Sequence, residues 1–170
     1  MLLMAHPAYA DEMIAGAAAS MTPMGKLVQD NRATILRSYL RSQDSPLADD
    51  AQNFVYTADK YNLDWKLVAA IAGVESTFGK HIPKNSYNAW GWGVYTGAQD
   101  GVHFSSWYDG IRTVSENLRK NYVDNGAKNI YDVGWTYAAN GDSWGSHVTY
   151  FMNQITNFTP VDPIALNISI

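Results

Sequence analysis

Between Trp65 and Ser76 the chain reads Trp-Lys-Leu-Val-Ala-Ala-Ile-Ala-Gly-Val-Glu-Ser. Leu67, Val68, Ile71, Ala72 and Val74 make a helix here apolar over most of its circumference, so it belongs inside a domain with other elements packed around it. Lys66 and Glu75 are its only charges; Asn62 or Asp64 marks its start and Gly79 its end. In a chain of 170 residues with 46% apolar content, one such helix implies one ordinary core.

The flanking segments read as shorter helices. Gly25–Gln43 places Leu27, Val28, Ile35, Leu36, Tyr39 and Leu40 loosely at helical spacing. Ser45-Pro46 reads as the N-cap and first residue of a helix running to about Tyr61, with Ala51, Phe54, Val55 and Ala58 on one face. Trp107–Tyr122 aligns Tyr108, Ile111, Val114, Leu118 and Tyr122. Ile130–Ala139 and Ser146–Asn157 are two further short helices, the second with Val148, Phe151, Met152 and Ile155 inward. The pattern breaks between Lys80 and Ser106, where Gly93-Val94-Tyr95 and Val102-His103-Phe104 flank a Gly-rich turn and read as a small irregular β-hairpin. The expected fold class is mainly α (α+β), with a single domain over residues 24–170.

Composition narrows function. The formal net charge is −4 and no Lys/Arg-rich run occurs, which argues against nucleic acid as a partner. There is no cysteine, and His6, His81, His103 and His147 lack ligand-like spacing, so neither a metal nor a cofactor is expected. Residues 1–23 read as a partial signal peptide or flexible lead-in, because Ala8-Tyr9-Ala10 before Asp11-Glu12 resembles a signal-peptidase site. Export to the periplasm, cell wall or medium is the expectation, as a monomer. No apolar run reaches the length of about eighteen residues that a membrane-spanning helix needs.

Glu75 closes an apolar helix. Burial and the negative end of the helix dipole both disfavour its ionised form, and a carboxyl kept neutral near neutral pH can protonate a leaving oxygen. The plainer reading is an end-of-helix Glu paired with Lys66 or Lys80. Downstream, Asn88-Ala89-Trp90-Gly91-Trp92-Gly93 and Tyr95 combine flat aromatic faces with bare backbone, a surface suited to a sugar chain. Asn88 could donate its amide to a hydroxyl or acetamido group. A purely structural aromatic loop is the alternative. Six Trp and eleven Tyr make the chain rich in aromatics and fit either reading.

The run Ala70–Gly79, containing Val74-Glu75-Ser76-Thr77-Phe78-Gly79, with Asn88-Ala89-Trp90-Gly91, resembles the lysozyme-like superfamily of bacterial peptidoglycan hydrolases. Phe104-Ser105-Ser106-Trp107-Tyr108 and Tyr137-Ala138-Ala139-Asn140-Gly141-Asp142 are similar to two further segments of its endo-β-N-acetylglucosaminidase branch. The last segment also resembles an element of lytic transglycosylases. The similarity covers roughly residues 45–158. It implies a lysozyme-like helical domain with the small hairpin beside the cleft, acting on the glycan strands of peptidoglycan. In it Glu75 is the general acid and Tyr137 stabilises developing positive charge. Ser76, Asn88, Trp90, Trp92 and Tyr95 would contact substrate. A second carboxylate is harder to place: Asp100 is the hairpin's candidate, whereas Asp109 and Glu116 fit a solvated helix face. Substrate assistance by an N-acetyl group, or attack by the sugar's own 6-hydroxyl, would remove the need for one. The rivals are a lytic transglycosylase and a non-catalytic glycan-binding module.

Overall fold

The structure, a computed structural model, describes residues 20–21, 27–28, 30–93, 101–137 and 140–160. The chain forms two compact units, residues 1–31 and 32–170. In the first, β1 (Ser20–Met21) pairs antiparallel with β2 (Leu27–Val28), Ser20 opposite Val28 and Met21 opposite Leu27. The helix expected from Gly25 therefore begins only at Arg32. Gln29, Asp30 and Asn31 interrupt the apolar period, so a helix through them would have had nothing to bury for nearly a full turn.

The second unit is mainly helical. It comprises α1 (Arg32–Ser42), a 3₁₀ turn (Ala48–Asp50) leading into α2 (Ala51–Tyr61), α3 (Leu67–Ser76), α4 (Trp107–Asn117), α5 (Ile130–Tyr137) and α6 (Gly141–Thr156). Helix α3 is the buried one: every residue from Val68 to Gly73 is buried. It packs on α6 and α4, while α2 packs on α1 and α4, and α5 lies along α6. A turn of π-helix over Leu118–Val123 continues α4 and replaces the regular helical end expected at Tyr122. Among the described residues, no helix is long and apolar enough to cross a membrane.

Helix α3 stops at Ser76, before Gly79. Thr77, Phe78 and Gly79 adopt φ of 53°, 59° and 82°, three successive left-handed residues. The Phe78 N–H reaches back to the Ala72 carbonyl at 2.9 Å and the Thr77 N–H to Gly73 at 3.2 Å, satisfying the orphan carbonyls of the helix end. The reversal folds Phe78 onto its own helix at Gly73, where a Cβ would lie 2.7 Å from the ring. Phe78 meets Tyr39 and Phe151 edge to face and is buried. Ser45, expected to cap α2, instead fastens this reversal. Its hydroxyl donates to the Phe78 carbonyl at 2.8 Å and accepts from the Leu47 N–H at 3.1 Å. Helix α6 also starts earlier than the expected Ser146, because Asn140 caps it by accepting from the Ser143 N–H at 3.3 Å.

Candidate active site

Two buried polar side chains shape the loop that follows α3. The Ser76 hydroxyl donates to the Ala89 carbonyl at 2.7 Å, lies 3.0 Å from the Ala72 carbonyl, and accepts from the Gly79 N–H at 2.8 Å. It latches the loop to the end of the helix. The Asn88 amide donates to the carbonyls of Trp92 and Val102 at 2.8 and 2.9 Å, and its oxygen accepts from the Trp92 N–H at 2.9 Å. Both side chains are buried. Neither is presented to a ligand, which corrects the expectation that Ser76 and Asn88 bind substrate: their hydrogen-bonding capacity is used in holding backbone.

Trp90 requires the same correction. It is fully buried, with its indole N–H donating to the Val68 carbonyl at 2.9 Å and its rings against Phe54 and Phe104. Its backbone, however, belongs to the site. The Trp90 carbonyl accepts from the Tyr137 hydroxyl at 2.8 Å, and the anchored indole sets up Gly91, whose φ is +61°.

Glu75 lies beside Gly91. A Cβ placed on Gly91 would come within 3.3 Å of Glu75 Oε2, so a side chain there would crowd that oxygen. The other oxygen, Oε1, accepts from the Trp144 indole N–H of α6 at 2.6 Å. No pairing with Lys66 or Lys80 forms: Lys66 bonds Asp64, and Lys80 donates to the Gln43 carbonyl. The Glu75 side chain as a whole is open to water, yet protein crowds its carboxyl. That desolvation raises its pKa above the ordinary 4.5, and the Trp144 hydrogen bond opposes the rise by favouring the carboxylate.

Tyr137 gathers the aromatic groups around this carboxyl. It stacks on Trp144 with centroids 4.8 Å apart and planes 25° apart, and tilts against Trp92 at 6.1 Å and Tyr122 at 6.4 Å. Burial, followed by the nearby Glu75 charge, raises its phenol pKa well above the ordinary value, so Tyr137 stays a neutral hydroxyl. An open cleft of about 370 Å³ borders the cluster, lined by Gly91, Trp92, Gly93, Asn121, Tyr122, Thr136 and Tyr137. A larger cavity of about 540 Å³ shares none of these residues; Leu63, Leu67, Ile130, Val133 and Met152 give it an apolar wall. Chemistry rather than size makes the smaller cleft the candidate site.

Of the residues expected to act together, Glu75, Trp92 and Tyr137 are thus brought to one place. Tyr95 and Asp100, with the turn of the expected hairpin, lie outside the described residues. Asp109 and Glu116 are committed elsewhere: Asp109 to Ser105 and Arg112, Glu116 to Arg112 and Lys120. These hydrogen bonds hold both carboxyls below their ordinary pKa, in keeping with a solvated helix face. Trp144, Asn121, Tyr122 and Thr136 also stand at the site, where the sequence gives them no evident role. For Trp144 a signal existed: Asn140 as a cap places Trp144, Val148 and Ile155 on one helical face. Asn121 and Tyr122 reach the cleft through the π turn, which no spacing rule announces. Compared with known proteins, the chain matches no family model and no curated sequence.

Proposed function

We propose that this chain is an exported peptidoglycan hydrolase of the endo-β-N-acetylglucosaminidase type, with Glu75 as general acid. The observation that carries the reading is a single carboxyl of raised pKa, held by Trp144 and set beside an aromatic cleft. Faces of Trp92 and Tyr122 suit the apolar side of a pyranose ring, and Asn121 and Thr136 supply hydrogen-bonding groups for its hydroxyls. In the reaction the Glu75 proton passes to the glycosidic oxygen, and the electron pair of the breaking C–O bond goes to that oxygen. Water then adds to the anomeric carbon, and the proton it loses restores Glu75. The neutral Tyr137 oxygen would face the positive charge that develops on the sugar.

One observation favours a second reading. Among the described residues the other candidate carboxylates, Asp109 and Glu116, are bonded to Ser105, Arg112 and Lys120, so a reaction that needs only one acid also fits. In a lytic transglycosylase the sugar's own 6-hydroxyl would attack the anomeric carbon in place of water.

The test is digestion of purified sacculi by the wild-type protein and by Glu75→Gln, with mass analysis of the released muropeptides. Removal of the acid should lower the rate by about 10²–10⁴-fold. Reducing ends on N-acetylglucosamine identify the hydrolase, and 1,6-anhydro ends the transglycosylase. Binding of glycan without cleavage by the wild type leaves only a non-catalytic module.

A further inference from the structure

The two oxygens of Glu75 are not equivalent. Oε1 accepts the Trp144 indole N–H at 2.6 Å, whereas Oε2 lies beside Gly91, 3.3 Å from where a Cβ on that residue would stand. An indole N–H can only donate, so Oε1 must present a lone pair to it in either protonation state. A proton on Oε1 would compete with that contact; a proton on Oε2 leaves it intact. Gly91 in turn lines the cleft, and any side chain on it would crowd Oε2 from that side.

We infer that Trp144 is a positioning residue that ties down Oε1 of Glu75, so that the transferable proton is carried on Oε2, on the Gly91 side where the cleft opens. The inference deepens the proposed glycosidase function and rests on it for the identity of the proton acceptor. The indole is itself fixed: Trp144 is buried and stacks on Tyr137, whose hydroxyl is bonded to the Trp90 carbonyl. The carboxyl therefore cannot swing without disturbing two helices. When the Oε2 proton moves to a leaving oxygen, the pair from the O–H bond stays on Glu75. The resulting carboxylate is already hydrogen-bonded at Oε1.

The ionisable groups around Glu75 leave its titration uncomplicated. Tyr137 of α5 faces the carboxyl and Tyr122 of the π turn faces Tyr137; both phenols have raised pKa values and stay neutral while a carboxyl titrates. Helix α3 carries no second charge. On α6, Asp142 and His147 are exposed; the Glu75 shift arises from desolvation, with the Trp144 hydrogen bond opposing it.

The experiment follows the Trp144 indole N–H and the carboxyl carbon of Glu75 by NMR against pH, in the wild type, Glu75→Gln and Trp144→Phe. In the wild type the indole resonance should titrate with Glu75 and remain protected from solvent exchange below as well as above the midpoint. Glu75→Gln should abolish that titration. Trp144→Phe keeps an aromatic ring against Tyr137 but loses the donor, so the Glu75 midpoint should move up by about one pH unit, the size of a hydrogen bond to a charged group. The high-pH limb of any lytic activity should move with it. An indole that does not titrate, that loses protection once Glu75 is protonated, or a Phe variant with an unmoved midpoint would overturn the inference. The wild-type measurements stand even if the Phe variant fails to fold. A normal titration without any lysis supports the Glu75–Trp144 assignment and removes only the proposed reaction.

Discussion

The Tyr137 hydroxyl donates to the Trp90 carbonyl at 2.8 Å, joining the end of α5 to the loop that carries Gly91. Tyr137→Phe keeps the ring on Trp144 and removes this bond, leaving a partly buried carbonyl without its partner. The expected cost is about 1–3 kcal/mol. Urea unfolding should show a lower midpoint at unchanged slope. Activity should fall as Gly91 loses its fixed place, with the Glu75–Trp144 contact retained.

Glu75 supplies a pH dependence whose sign is fixed by the upward shift. Its folded pKa lies above the ordinary 4.5 because ionisation is penalised by burial. Its favourable contribution to stability is therefore complete below about pH 4.5 and is lost as pH rises through the folded value. Glu75→Gln cannot ionise, so its stability relative to wild type should increase between about pH 4.5 and pH 8. Denaturant unfolding at the two ends of that range checks this; an unchanged difference would contradict the shift. Wall-lytic activity should decline over the same rising limb, since only the protonated form donates.

Trp90 distinguishes core from groove. Its indole is fully buried and bonded to the Val68 carbonyl, so Trp90→Ala should cost about 3–5 kcal/mol of stability. A groove tryptophan would lose affinity for glycan oligomers while leaving the unfolding midpoint nearly where it was. Calorimetric melting of the variant decides between the two.

Thr77 is exposed and β-branched, and holds φ at 53°. A left-handed non-glycine residue costs about 1–2 kcal/mol, against about 0.4–1 kcal/mol for the extra freedom glycine gives the unfolded chain. Thr77→Gly should therefore stabilise the protein by roughly 0.5–1 kcal/mol. A lower melting temperature in this variant would show that the threonine side chain contributes something the backbone does not reveal.

Helix α3 was legible because nothing but burial accommodates a helix apolar all round, and Glu75 was legible as the charge at its end. The helical character of the unit followed from the same periodicity. What the chain did not disclose is where its polar and aromatic side chains turn after the helix stops. Asn88 and Trp90 sit in a segment whose composition suits a ligand surface, yet their partners are backbone atoms of Trp92, Val102 and Val68. Such contacts depend on a chain reversal through three left-handed residues, two of them not glycine, and local preference argues against that reversal. Trp144 stayed hidden for another reason. Gly141-Asp142-Ser143 resembles a loop until Asn140 is read as the cap of a helix.

The clamp formed by Asn88 has a consequence for engineering. It holds the carbonyls of both Trp92 and Val102, and the Val102 N–H closes onto the Trp92 carbonyl at 2.9 Å. The two stems are thereby fixed by residues lying outside the stretch they bracket. Because closing a longer connection between fixed ends adds little free energy, the chain length between Trp92 and Val102 can be varied at little cost. Segments of different length and composition could be grafted between these two anchors while Glu75, its indole partner and the core stay as they are.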